Sequence, residues 1–152
     1  MKYSREKAVQ YALRWVLDRN PKYYNYDKIG GDCTNFVSQC LYAGIPEMNY
    51  QENGWYYKNA NLKSPSWTGV EFLYQFLIQN RGLGPKGIEV NKDEIEEGDV
   101  IQLSFDGNIY GHTLIVTKIE GDKILISAHT IDSKNRDLET YNFKKIRYIH
   151  IL

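Results

Sequence analysis

Three side chains in this sequence are of types, and at spacings, that could do covalent chemistry together. The first is Cys33, in the run Gly30-Gly31-Asp32-Cys33-Thr34-Asn35-Phe36-Val37-Ser38-Gln39-Cys40-Leu41. Phe36, Val37, Cys40 and Leu41 recur at helical spacing. Asp32 takes the N-cap position, which places Cys33 in the first turn, among unpaired backbone N–H groups and the positive end of the helix dipole. That field favours the thiolate, the form that acts as a nucleophile. The other two are imidazoles. His112 opens a strand running to Ile119, and His129 closes one that starts at Lys123, with Gly121-Asp122 as a two-residue turn between them. In that register Glu120 faces Lys123, His112 faces Ile131 and Leu114 faces His129. Both imidazoles then share one sheet face as diagonal neighbours, about 7–8 Å apart at Cα. A thiol, a base and a group to orient the base form a nucleophilic triad of Cys33, His112 and His129. The Cys33 N–H would also point toward a developing oxyanion. The plainer reading of each histidine is a strand-end residue without a role. His150, alternating with Ile149 and Ile151, is expected to point away from the core.

The elements that must position these groups follow from periodicity. Ser4-Arg5-Glu6-Lys7 reads as a capping box opening a first helix, with Ala8, Tyr11, Ala12, Trp15 and Val16 on one face and Asn20-Pro21 as its end. A polar, Tyr-rich loop leads to Asp32. The cysteine helix runs to about Ala43 and stops at Gly44. Residues 46–66 form a long irregular connection, and a third helix carries Val70, Phe72, Leu73, Phe76 and Leu77 up to Arg81-Gly82. After Pro85 the pattern becomes strand-like: Val100 to Phe105, a turn at Asp106-Gly107-Asn108, the two histidine strands, and a last strand from Lys145 to Leu152. Helices first and an antiparallel meander second make an α+β fold, in one domain spanning 1–152.

Composition narrows the function classes. Nineteen basic and nineteen acidic side chains cancel, so no electrostatic footprint points to nucleic acid or an anionic membrane. No apolar run approaches the roughly 20 residues of a membrane span. The N-terminus, Met1-Lys2-Tyr3-Ser4-Arg5-Glu6-Lys7, is too charged for a signal peptide, so the chain as written is expected to stay cytoplasmic unless it is one domain of a longer exported protein. Cys33 and Cys40 lie about 10 Å apart along the helix, beyond disulfide reach, and Cys40 reads as a buried hydrophobe. No zinc spacing, phosphate loop or calcium loop is present, so no metal or cofactor is expected. Aromatic residues make up 14% of the chain, thirteen of them tyrosine. The tyrosines between Tyr23 and Tyr57 either line a groove for a peptide or sugar chain or simply cover loops.

The blocks Asp32-Cys33-Thr34-Asn35-Phe36-Val37-Ser38-Gln39, Gly98-Asp99-Val100-Ile101, His112-Thr113-Leu114-Ile115-Val116 and Ser127-Ala128-His129-Thr130, in this order and with Ser64-Pro65-Ser66-Trp67-Thr68 between the first two, resemble the putative amidase domain of Gram-positive bacteria. That family is similar to NlpC-type and CHAP cell-wall peptidases. The resemblance covers nearly the whole chain. It implies a papain-like α+β cysteine amidase or peptidase with Cys33 as nucleophile, His112 as base and no cofactor. It also implies an exported or cell-wall setting. The third position fits His129, with Asp132 and Asn135 as alternatives. Tyr24, Tyr26 and Asp32 are candidates for an oxyanion contact. A peptide-like substrate, such as a peptidoglycan stem peptide, is expected to lie across the loops that hold Trp55 and Trp67. Acyl transfer at the same site, or a non-catalytic cell-wall binding module, are the alternatives to hydrolysis.

Overall fold

A computed structural model describes residues 1–152 as four α-helices and eight β-strands. The first helix, α1 (Arg5–Trp15), is capped by Ser4, whose side chain accepts from the Lys7 N–H at 3.2 Å. Lys7 carries only donors and cannot return a bond to the Ser4 N–H, so the expected capping box is half a box. Ala8 and Ala12 bury the inner face of α1 against α2 (Cys33–Gly44). Gly44 ends α2 by close approach: a Cβ there would lie 2.4 Å from the Tyr3 ring.

The connection read as irregular contains a bridge between Asn49 and Trp55 and a short hairpin, β1 (Tyr57–Asn59) with β2 (Leu62–Lys63). The expected third helix is two, α3 (Pro65–Thr68) and α4 (Val70–Gln79), parted by an extended Gly69. Six further strands follow: β3 (Gly87–Val90), β4 (Val100–Ser104), β5 (His112–Glu120), β6 (Lys123–Ala128), β7 (Ser133–Asp137) and β8 (Lys145–Ile151). They form one antiparallel sheet in the order β3-β8-β4-β5-β6-β7. The chain is therefore α+β, but not a simple meander, because β8 returns between β3 and β4. β3 and β7 were not anticipated. β7 reads Ser-Lys-Asn-Arg-Asp, the polar composition of an edge strand, and carries no apolar alternation to reveal it.

Both sheet faces are apolar. Val100, Ile115, Ile149 and Ile151 pack against the helices, with Phe36, Leu41, Trp55, Trp67 and Leu77. Ile101, Leu103, Leu114, Val116, Ile126 and Ala128 form a second core on the opposite face, closed by Ile95 and Leu138. The β5–β6 hairpin begins in the expected register, Glu120 with Lys123, Ile119 with Ile124 and Lys118 with Leu125. A bulge at Thr117 then shifts it, so that Val116 pairs with Ile126 and Ile115 with Ser127. One extra residue on one strand reverses every face beyond it.

The Gly98-Asp99 block is a structural knot. Gly98 turns with φ +88°, and the carboxylate of Asp99, fully buried, accepts from Arg5 Nη1 at 2.7 Å and from the backbone N–H groups of Glu96 and Ile151. His150 Nδ1 lies 2.9 Å from the same carboxylate, so His150 faces this knot rather than open solvent. Asp99 thereby ties the start of α1, the start of β4 and the end of β8. Asp99→Ala would orphan two backbone donors and uncouple Arg5. The expected loss is about 3 kcal/mol of unfolding free energy, read as a lowered urea midpoint at unchanged slope.

Candidate active site

Cys33 is the first residue of α2 and is 7% exposed. Thr34 Oγ1 lies 3.8 Å from the Cys33 Sγ. Thr34 Oγ1 also lies 2.9 Å from Oγ1 of Thr113, the second residue of β5, so the first turn of α2 is docked on the start of β5 by a bond between two hydroxyls. The thiol therefore sits one residue from His112. No hydrogen bond joins the sulfur to the imidazole.

Because Thr113 faces the helices, His112 faces the other way, beside Leu103 and Leu114 on the second core. Its ring is 6.2 Å from Phe105 and 5.8 Å from Tyr141, and the Arg136 guanidinium lies 3.7 Å over the Tyr141 ring. Arg136 is itself held by Thr140. Burial, aided by the Arg136 charge, pushes the imidazole pKa down to about 4. His112 is accordingly a neutral base at pH 7. The Tyr141 hydroxyl is buried without a protein partner. Tyr141, Phe105 and Arg136 are thus the side chains that frame this imidazole. No sequence signal pointed to them, since Tyr141 follows a polar edge strand in a short polar turn.

The thiol departs from expectation. Burial, with a smaller contribution from the Asp32 charge, raises the Cys33 pKa above its ordinary value. The Thr113 and Thr34 donors only partly offset it. The helix N-terminus alone does not make this cysteine a resting thiolate, because desolvation of the charged form outweighs the field.

His129 does not orient His112. The Thr117 bulge turns the two histidines to opposite faces, and His129 stacks on Phe36 of α2 at 4.0 Å between ring centroids. Its Nδ1 lies 2.6 Å from Asp32 Oδ2, and its Nε2 lies 3.1 Å from both the Trp15 carbonyl and Arg19 Nη1. The alternatives are also engaged elsewhere. Asp132 pairs with Arg19 at 2.9 Å, and Asn135 Oδ1 accepts from Thr117 Oγ1 at 2.7 Å.

Asp32 occupies the N-cap position, yet its side chain makes no capping bond. Its carboxylate, 1% exposed, accepts from the Tyr26 N–H, from Asn35 Nδ2 and from His129. A buried anion with this partner set anchors the helix and would repel an oxyanion, so Asp32 is not an oxyanion contact. Trp55 and Trp67 are fully buried. Their indole N–H groups donate to Ser38 Oγ and Asn35 Oδ1 on α2, and the two rings lie 4.6 Å apart. They are core, not a substrate surface. Tyr26 is buried, and only Tyr24 of this group remains open, 45% exposed, its ring edge-on to Tyr26. Cys40 is fully buried, and both cysteines are free. No helix is long and apolar enough to cross a membrane, and no group of three or more His, Cys, Asp or Glu side chains is arranged to hold a metal ion.

Residues 2–152 match the putative amidase domain family. The chain is 38% identical over 140 residues to the uncharacterized protein YhbB of Bacillus subtilis, covering 88% of this chain and 43% of that protein. It is 29% identical over 144 residues to the uncharacterized protein YjcM of the same organism, covering 88% of this chain and 32% of that protein. The chain thus spans less than half the length of these relatives. No solved structure matches it.

The depressed His112 has a consequence for stability. Between its ordinary 6.5 and about 4, the unfolded chain binds a proton that the folded chain does not. Stability therefore falls as pH drops through that window, by up to about 3 kcal/mol. Urea unfolding at pH 7 and pH 4.5 measures the loss, and His112→Gln is expected to remove that share of the pH dependence.

Proposed function

We propose that this chain, which belongs to the putative amidase domain family, hydrolyses an amide bond by attack of the Cys33 thiol with His112 as the base. The observation that carries this reading is the docking of the first turn of α2 on the start of β5, where Thr34 Oγ1 lies 2.9 Å from Thr113 Oγ1. Cys33 and His112 are the chain neighbours of those two threonines, so the docking brings thiol and imidazole to the same end of the sheet. His112 stands at the strand start, where the exposed Gly111 precedes it. Catalytic hydrogen bonds commonly tighten only when substrate is present.

The chemistry starts from a neutral thiol and a neutral imidazole. Sγ attacks the amide carbonyl carbon while its proton passes to His112. The carbonyl oxygen becomes an oxyanion at the α2 N-terminus, near the Cys33 N–H. Collapse breaks the C–N bond, and His112 returns the proton to the leaving amine. Water, deprotonated by His112, then cleaves the thioester and regenerates the thiol. No metal or cofactor enters any step. Tyr141, sandwiched between Arg136 and His112, takes the place of the expected polar orienter by fixing the ring through packing. We assign the arrangement to the papain-like, NlpC- and CHAP-related cysteine peptidases. The preferred substrate is a peptide-like chain such as a peptidoglycan stem peptide, entering past Tyr24.

Incubation with peptidoglycan digests and an unrelated peptide library, read by mass spectrometry, tests the reading. Cys33→Ala is expected to abolish cleavage with the fold intact, and Cys40→Ala to retain most of it. His112→Ala should lower kcat/KM by about 10²–10⁴-fold. Cleavage by wild type should persist in mildly acidic buffer and fail as pH falls through about 4, where protonation removes the base. Undiminished cleavage by the Cys33 variant would sink the mechanism.

A further inference from the structure

Three polar side chains cross the helix-facing side of the sheet in a row: Arg147 on β8, Gln102 on β4 and Thr113 on β5. Gln102 is paired directly with each of the others. The row is sealed: Gln102 and Thr113 are fully buried, Thr34 is 1% exposed and Arg147 is 9% exposed. Nothing in the proposed reaction uses a buried guanidinium, yet this one is held on every side. It is sandwiched between the rings of Tyr74 at 3.6 Å and Tyr110 at 4.0 Å. Its Nη2 donates to Glu71 of α4 at 2.9 Å, and its Nε and Nη2 both donate to Gln102 Oε1, at 2.9 and 2.6 Å.

Donor and acceptor roles along this row are not free. A guanidinium only donates, so the Gln102 amide must present its oxygen to Arg147 and its nitrogen the other way. Gln102 Nε2 then donates to the Val70 carbonyl at 2.9 Å and to Thr113 Oγ1 at 3.3 Å. Thr113 Oγ1 carries one hydrogen, and since Gln102 Nε2 is a donor the acceptor within its reach is Thr34 Oγ1, 2.9 Å away. The Thr34 hydrogen is left to point at Cys33 Sγ, 3.8 Å away.

We infer that Arg147 is a positioning residue for Cys33: it sets the direction of the chain Arg147–Gln102–Thr113–Thr34, so that the last hydroxyl donates to the sulfur. The inference rests on the reading of Cys33 as nucleophile and deepens it. A hydroxyl that donates to sulfur stabilises the thiolate as it forms, whereas one that accepts from the thiol opposes it. The direction is therefore the functional quantity, and a charge three side chains away fixes it. The other charged groups facing the row and the thiol are Glu71 from α4 and Asp32 before α2, while His112, next to Thr113 on β5, faces the opposite side of the sheet. Asp32 opposes the thiolate, and the chain offsets part of that opposition together with the Thr113 N–H.

The test needs no substrate. Cys33 alkylation by iodoacetamide is followed against pH in the folded protein, with the modified peptide identified by mass spectrometry so that Cys40 does not contribute. Gln102→Glu keeps the pairing with Arg147 but makes position 102 an acceptor toward Thr113, which reverses the chain. Thr34→Val deletes its last donor, and Arg147→Met frees the Gln102 amide to flip. Each should move the alkylation midpoint up by about one pH unit. Each should also slow the reaction at neutral pH by about threefold, since the more basic thiolate recovers part of the loss in nucleophilicity. Thr34→Ser restores the donor and should recover most of the rate. The double variant Thr34→Val/Thr113→Val removes both hydroxyls without orphaning either and should fold. It should show the same shift as Thr34→Val alone, because the two act in one chain. Folded Gln102→Glu and Thr34→Val proteins with wild-type alkylation profiles would overturn the inference. If the shifts occur but the wild type cleaves no amide, the hydrolase reading falls and the chain stands.

Discussion

The carboxylate of Asp32 is the interaction on which the rest of this arrangement depends. It is desolvated, acceptor-only, and surrounded by groups from three parts of the chain: the Tyr26 N–H of the loop before α2, Asn35 within α2, and His129 after β6. Arg19 adds its charge at 3.7 Å and is itself clamped by Asp27 and Asp132. A buried anion is tolerable only when such partners are in place. The fold around the N-terminus of α2 is therefore dictated by the need to supply them. Gly30 and Gly31 take φ values of +83° and +95° to turn the loop back onto the helix. This is also why His129 is unavailable to His112. The His129 Nδ1 is committed to Asp32 at the N-cap position of α2, and its Nε2 to the end of α1 and Arg19.

That solution carries an electrostatic cost next door. The anion that secures the helix opposes a thiolate at Cys33, and burial opposes it further. The protein meets this with short-range donors rather than with net charge. The Thr113 peptide and the Thr34 hydroxyl favour the charged sulfur, while Arg19, Arg5 and Arg147 are spent on Asp32, Asp99 and Gln102. A thiol in such a setting is quiet at rest and gains its charge only as a base removes the proton, which suits a neutral imidazole of depressed basicity.

Much of this was legible in the sequence, and the failures have physical causes. The helix periodicity of Phe36, Val37, Cys40 and Leu41 located α2 and identified Cys40 as core, because a 3.6-residue period leaves little ambiguity over twelve residues. The strand limits around His112 and the turn at Gly121-Asp122 were likewise readable. The side of the sheet on which His129 lands was not. It depends on one extra residue at Thr117, whose hydroxyl bonds across to Ser127 and Asn135. Hydrophobic alternation does not record such a contact. Trp55 and Trp67 misled for a related reason. They sit in polar, Gly- and Asn-containing sequence, but each finds a hydrogen-bond partner for its N–H on α2 and so can be buried whole. β7 was invisible because an edge strand made of polar residues has no pattern to read.

The bulge also decides how the site is divided. Alternation along β5 gives Thr113 to the helix side and His112 to the second core, so neighbouring residues of one strand are supported by different halves of the protein. The thiol side is governed by the Arg147 row, and the imidazole side by Phe105, Tyr141 and Arg136. The two guanidinium groups never meet, and each is stacked on tyrosine. Substitutions on one side should therefore leave the other's electrostatics in place, since the charges are separated by a packed sheet. In the proposed reaction the proton passes from one side to the other, and the place where the two faces meet is the first residue of β5. There His112 is packed between Phe105 and Tyr141, and the residue before it, Gly111, has open space around it.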